Sequence, residues 1–180
     1  MNRVSGTRYW LEVALFIVLG FVAIGIPMIP MGLAADSLPV PDLLFALIIA
    51  WIIRRPETAP LLAVVFLAVL ADVMLMRPIG LWALAILMGT EALRFSLRAF
   101  RDIPFAQEWA YVAGLLLLMT LLQFVLQLIS FSEVYGFSEL AWHVLRTIAI
   151  YPVIVAVLHY IFRIRVPKLA DRPTRLGKVT

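Results

Sequence analysis

Apolar residues in this chain come in long unbroken runs rather than along one face of each segment, and short polar turns separate them. That pattern predicts helices that are apolar all round, as for buried or membrane-spanning segments, and not amphipathic surface helices. Six runs are visible, at residues 10–33, 43–53, 60–76, 79–99, 109–131 and 141–162. The first exceeds the roughly 20 residues a spanning helix needs, with Pro27 and Pro30 bending or ending it near its far side. The second makes only about 16 Å of helix against a hydrocarbon core of about 30 Å. It therefore requires local thinning, a re-entrant path or burial among neighbours. Pro39 and Pro41 force an extended approach to it, and Asp42 falls in its first helical turn, where an acid is favoured.

Composition turns this pattern into a class. With 64% hydrophobic and 14% charged residues, the chain has too little polar surface to fold in water, which predicts an integral membrane protein. Arg3 and Arg8 followed by a small-residue stretch, Gly32-Leu33-Ala34-Ala35, resemble a cleaved signal peptide, but the apolar run is too long for a signal core. The first helix is expected to stay.

Charge sets the orientation. Of the 15 lysines and arginines, all but Arg77 and Arg146 fall before the first run or after the second, fourth and sixth. The positive-inside rule then predicts an all-α polytopic membrane protein with six transmembrane helices and both termini cytoplasmic. Residues 1–166 form that domain and 167–180 a basic cytoplasmic tail. The pI of about 9.9 follows from this asymmetry, so no nucleic-acid partner is implied.

Within this frame, four features are candidates for function. Asp72 lies near the end of the third run, about 18 Å beyond Pro60 if helical, on the outer side of the midplane. An ionisable group at bilayer depth costs about 2.5–3.5 kcal/mol on insertion scales. It either caps the next helix or reaches the headgroups, or it anchors the Arg77-Pro78-Ile79-Gly80 turn for an outer partner, receiving Arg77, a backbone amide of the turn or water. The short second run with its proline approach has two readings: a lining element of a transport site, or a loop held by Pro41 and Asp42. Arg94, Arg98 and Arg101 recur at i, i+4 and i+7, a basic stripe suited to anionic lipid or a cytoplasmic protein, or to simple snorkelling. Finally Thr120, Gln123, Gln127 and Ser130 share one face of the fifth run. They offer helix-packing hydrogen bonds, with His143, Thr147 and Tyr151 as the facing set, or a ligand pocket. Ala46 with Ala50, and Ala85 with Gly89, suit close helix approach.

Catalytic patterns are sparse. The chain has no cysteine and two histidines, which removes thiol chemistry and argues against a resident metal. HExxH, GxSxG and phosphate-binding glycine loops are absent from the sequence. No cofactor is expected, and the chain reads as a non-enzyme.

The segment Pro41-Asp-Leu-Leu-Phe-Ala-Leu-Ile-Ile-Ala-Trp51, the following Arg54-Arg55-Pro56, the apolar run ending in Ala71-Asp72 and then Pro78-Ile79-Gly80-Leu81 together resemble MreD, the bacterial rod shape-determining membrane protein family. The likeness is best from Pro41 to about Arg94, with Pro152 in the last run similar to a proline found there in the family. Where family members usually carry glycines in the third span, this chain has alanine, valine and leucine. The resemblance implies a non-enzymatic scaffold of the cell-elongation machinery in the inner membrane. MreC is its partner, with the actin-like MreB, RodA and the elongation-specific penicillin-binding transpeptidase. It also implies a fold similar to the substrate-binding subunits of energy-coupling-factor transporters, so a small-ligand role is the alternative. Under the scaffold reading, Pro41, Asp42, Asp72, Arg77, Pro78 and Gly80 form the outer docking elements, while Arg94, Arg98 and Arg101 meet lipid or filament inside.

Overall fold

The computed structural model describes residues 6–29, 41–96, 104–129 and 136–162, which are helical with no strand among them. Six helices follow in order: α1 (Gly6–Gly25), α2 (Leu43–Arg54), α3 (Leu61–Met74), α4 (Leu81–Ser96), α5 (Phe105–Ile129) and α6 (Phe137–Tyr160). A 3-10 turn at Ile26–Met28 extends α1, and another at Pro56–Thr58 joins α2 to α3. Three stretches are long and apolar enough to cross a membrane, Gly6–Met28, Phe105–Ile129 and Ser138–Tyr160.

The short second run resolves by burial among neighbours. Every residue of α2 from Leu44 to Arg54 is buried, and the helix packs against α1, α3, α4 and α6. The remaining packing pairs run α1 with α3, α3 with α4, α4 with α5, and α5 with α6, so five helices wrap a central α2. No comparable pair joins α6 to α1. An all-round apolar helix of 12 residues is stable in that position because its neighbours cover every face. Between helices in lipid the association comes from close packing, and the fully buried Ala46, Ala50 and Ala85 supply it.

Glycine also provides close approach, though from an unexpected helix. A Cβ on Gly20 of α1 would lie 2.5 Å from Cδ1 of Leu67, so α1 meets α3 through its own glycine. This is why α3 packs tightly with alanine, valine and leucine where the family pattern has glycine.

Pro152 lies inside α6 and cannot donate to the Ile148 carbonyl one turn earlier. The Trp109 indole of α5 donates to that same carbonyl at 3.0 Å, so the bond lost within α6 becomes a bond between α5 and α6. Trp109→Phe is expected to cost about 1 kcal/mol in the wild type and much less in a Pro152→Ala background, where the carbonyl regains its helical donor. Unfolding in mixed micelles across the four proteins measures the difference.

Helix boundaries depart modestly from the apolar runs. The first run is cut short because α1 ends at Gly25 and the chain turns through Pro27. The fifth begins earlier, at Phe105, which brings Glu108 into the first turn of α5. Asp42 is the cap preceding α2 and not a residue of its first turn. Arg98, Arg101, Ser130 and the tail 167–180 lie outside the described residues.

Candidate functional site: a polar joint, a turn and a cavity

Asp42 joins four parts of the chain. Its Oδ1 accepts from the Phe45 amide at 2.8 Å, the usual bond of a helix cap. Its Oδ2 accepts from Arg77 at 3.1 Å, at the turn after α3, and from the Trp82 indole of α4. Its own amide donates to Thr147 Oγ1 of α6 at 2.9 Å, while that hydroxyl donates back to the His143 carbonyl. Arg77 also rests over the Trp82 ring, 6.0 Å from its centroid, and His143 meets the same ring edge-on. Burial disfavours a charge on Asp42, but Arg77, the Phe45 amide and His143 outweigh it and hold the carboxyl below the usual carboxylate range.

Asp72 has a different task from the one its neighbour Arg77 suggested. Fully buried, it receives the Gly80 amide at 2.9 Å and the Ala83 amide at 3.2 Å on Oδ2, and so caps α4 from the end of α3. Its Oδ1 has no hydrogen-bond partner. Arg77, the cation expected beside Asp72, is bonded instead to Asp42.

The turn between them is a tight helix ending. The Arg77 amide donates to the Asp72 carbonyl at 2.9 Å and the Met76 amide to Val73, the double bond of a Schellman motif. Its left-handed position is filled by Met76, with φ of 51°, where glycine is usual. Met76 is 96% exposed and Ile79 72%, whereas Asp42 and Asp72 are buried and Pro41, Pro78 and Gly80 are half-buried. The accessible surface of the turn is therefore apolar, and the acids hold it from beneath. Met76→Gly is expected to stabilise the fold by about 0.5–1 kcal/mol by relieving the left-handed strain, read as a rise in thermal midpoint.

A cavity of about 420 Å³ lies beside the joint. It is bordered by the end of α1, the start of α2, Leu75 and Arg77 of the turn, Gln123 of α5, and Glu139, Leu140 and His143 of α6. Its position is on the side of the ring where α1 and α6 make no extensive contact.

The polar face of α5 does not pair with the set on α6. Thr147 and His143 turn toward Asp42 and Trp82, and Tyr151 donates to Glu108 at 2.6 Å, because these buried acids are stronger acceptors than an amide or hydroxyl. Gln123 borders the cavity; Thr120 Oγ1 and Gln127 Nε2 are buried without a hydrogen-bond partner.

At the opposite end of the bundle sits a cluster that sequence patterns did not nominate. Both terminal nitrogens of Arg54 lie 3.0 Å from Glu108 Oε1, Arg54 also donates to the Ala50 carbonyl, and Tyr151 completes the set. Nearby, Arg94 donates to the carbonyls of Pro56 and Ala59, bolting α4 to the turn between α2 and α3. Arg94 is thus committed within the fold. Among the described residues no His, Asp and Glu group has metal-site geometry. No family model, curated protein or solved structure matches the chain, so its functional reading rests on the residues themselves.

Proposed function

We propose that this protein is a non-enzymatic scaffold of the bacterial cell-elongation complex, a multi-pass protein of the inner membrane with six spans and both termini in the cytoplasm. It links MreC, RodA and the elongation-specific transpeptidase to MreB filaments. The observation that carries this reading is the bond between Arg77 and Asp42, which unites two elements 35 residues apart. Those two elements are the Pro41-Asp42 approach and the Asp72–Gly80 turn, the parts of the chain that most resemble MreD. Joined, they make a rigid platform from short helices, with Met76 and Ile79 as its exposed apolar contacts. Rigidity of this kind suits a docking surface, because less ordering remains to be done on binding. The inner face offers Arg98 and Arg101 to filament or lipid, since Arg94 is engaged by the fold.

Co-purification of MreC with wild-type and Asp72→Ala protein tests the proposal. Loss of MreC and of rod shape is expected, because the α4 cap and the turn depend on Asp72; unchanged recovery with normal shape rejects the docking role.

The cavity supports a second reading, a small-ligand-binding membrane subunit of a transporter, since its volume falls within the range of small-molecule sites. Neighbouring genes for ATPase subunits favour it, and shape genes favour the scaffold.

A further inference from the structure

We infer that the cavity between α1, α2 and α6 is a binding site for a small organic ammonium ion, held by the Glu139 carboxylate with Asp42 and Arg77 already paired on the facing wall. The inference rests on the small-ligand reading of that cavity and not on the scaffold reading.

Charge bookkeeping at the wall leads there. Two positive features border the space, the Arg77 guanidinium and the N-terminal end of α2, and Asp42 satisfies both: Oδ2 takes Arg77 and Oδ1 takes the Phe45 amide. Glu139 is the second carboxylate among the described lining residues. It accepts the Gly136 amide at the start of its own helix, a bond to a neutral group that leaves its unit charge in place. With His143 neutral, the lining carries one negative charge in excess. An anionic ligand would face two carboxylates and an arginine already engaged. A cation finds Glu139, with Gln123 and His143 to receive further hydrogen bonds.

The remainder of the wall is apolar. Ala23 and Ile24 of α1, Leu44 of α2 and Leu140 of α6 would surround the body of the ligand. Such walls lower the local dielectric and strengthen the attraction of a carboxylate for an ammonium group. The chemical class is therefore a primary or secondary amine on a compact apolar or aromatic body. An amine of this kind comes either from a soluble molecule or from the ethanolamine headgroup of a lipid.

Titration calorimetry of the full-length protein in dodecyl maltoside, against blank micelles, uses tryptamine and the similarly shaped anion indole-3-propionate. Saturable one-to-one binding of tryptamine is expected, with none for the anion. Glu139→Gln is expected to weaken tryptamine at least tenfold, Glu139→Asp to restore it to within threefold, and Glu91→Gln, at the far end of α4, to leave it unchanged. Competition by added phosphatidylethanolamine assigns the site to a lipid headgroup, and indifference to it assigns the site to a soluble amine; both support the ammonium site. Equal or tighter binding of indole-3-propionate, or an unchanged affinity in Glu139→Gln, overturns the inference. A retained ligand without an amine, seen by native mass spectrometry, overturns it while sparing the small-ligand reading. Neither probe binding and no ligand retained removes both.

Discussion

Replacing Glu108 with alanine is expected to lower the stability of the fold by about 3–5 kcal/mol, the largest effect of any single substitution considered for this chain. Arg54 and Glu108 have only 5% and 8% of their side chains exposed. Removing the carboxylate leaves a guanidinium inside the bundle with one remaining acceptor, the Ala50 carbonyl. Tyr151→Phe is a milder change, about 1 kcal/mol, since Glu108 keeps its arginine. Replacing both charges together, Arg54→Met with Glu108→Leu, is expected to be close to neutral, because a buried pair of this kind stabilises mainly against its own halves. Equilibrium unfolding in mixed micelles distinguishes these cases. A loss under 1 kcal/mol for Glu108→Ala would show that water reaches Arg54 and that the pair is not sealed.

The second large effect is at Asp42. Asp42→Ala removes the cap of α2 and leaves both Arg77 and the Trp82 indole without their carboxylate. A cap contributes about 1 kcal/mol and an orphaned buried donor about 1–3 kcal/mol, which together predict a loss of about 2–4 kcal/mol. Asp42→Asn keeps the cap and removes the charge, so it is expected to fall between wild type and alanine. A double-mutant cycle with Arg77→Ala isolates the joint, and the expected coupling is about 1–2 kcal/mol. Additive behaviour would mean that the approach to α2 and the turn after α3 are held independently.

Hydropathy alone exposed the all-helical class and the six apolar segments, because a chain this apolar has few other ways to satisfy its backbone. It also posed the right question about the second run, whose shortness is explained by full burial at the centre of the ring. Asp72 was legible as an expensive acid beside a turn, and helix capping was one of its two readings. Its cation was not legible: Arg77 is five residues from Asp72, yet geometry sends it to Asp42 across 35 residues. Asp42 was visible as an acid at a helix start, but nothing local could reveal that Trp82 and Thr147 converge on it. The Arg54–Glu108–Tyr151 cluster stayed hidden for a related reason. Arg54 reads as one more positive charge in an inner loop, and Glu108 sits just outside the apolar run that Trp109 begins, although the helix starts three residues before it. A useful signal was the lone acid next to a tryptophan at a span boundary.

The location of the two acids also changes what a docking surface on this protein must be. Buried carboxylates do not touch a partner; they fix the residues that do. Met76 occupies a backbone conformation that glycine would fill with less strain and presents nearly all of its side chain outward. A fold that retains methionine there gives up stability in favour of an exposed apolar contact, in keeping with the scaffold proposal.

The most direct test of the outer platform is therefore retention of MreC by a Met76→Gly, Ile79→Ser double variant, purified from membranes alongside wild type. The account predicts a protein at least as stable as wild type that loses MreC at least tenfold. Full retention of MreC by that stable variant would contradict it.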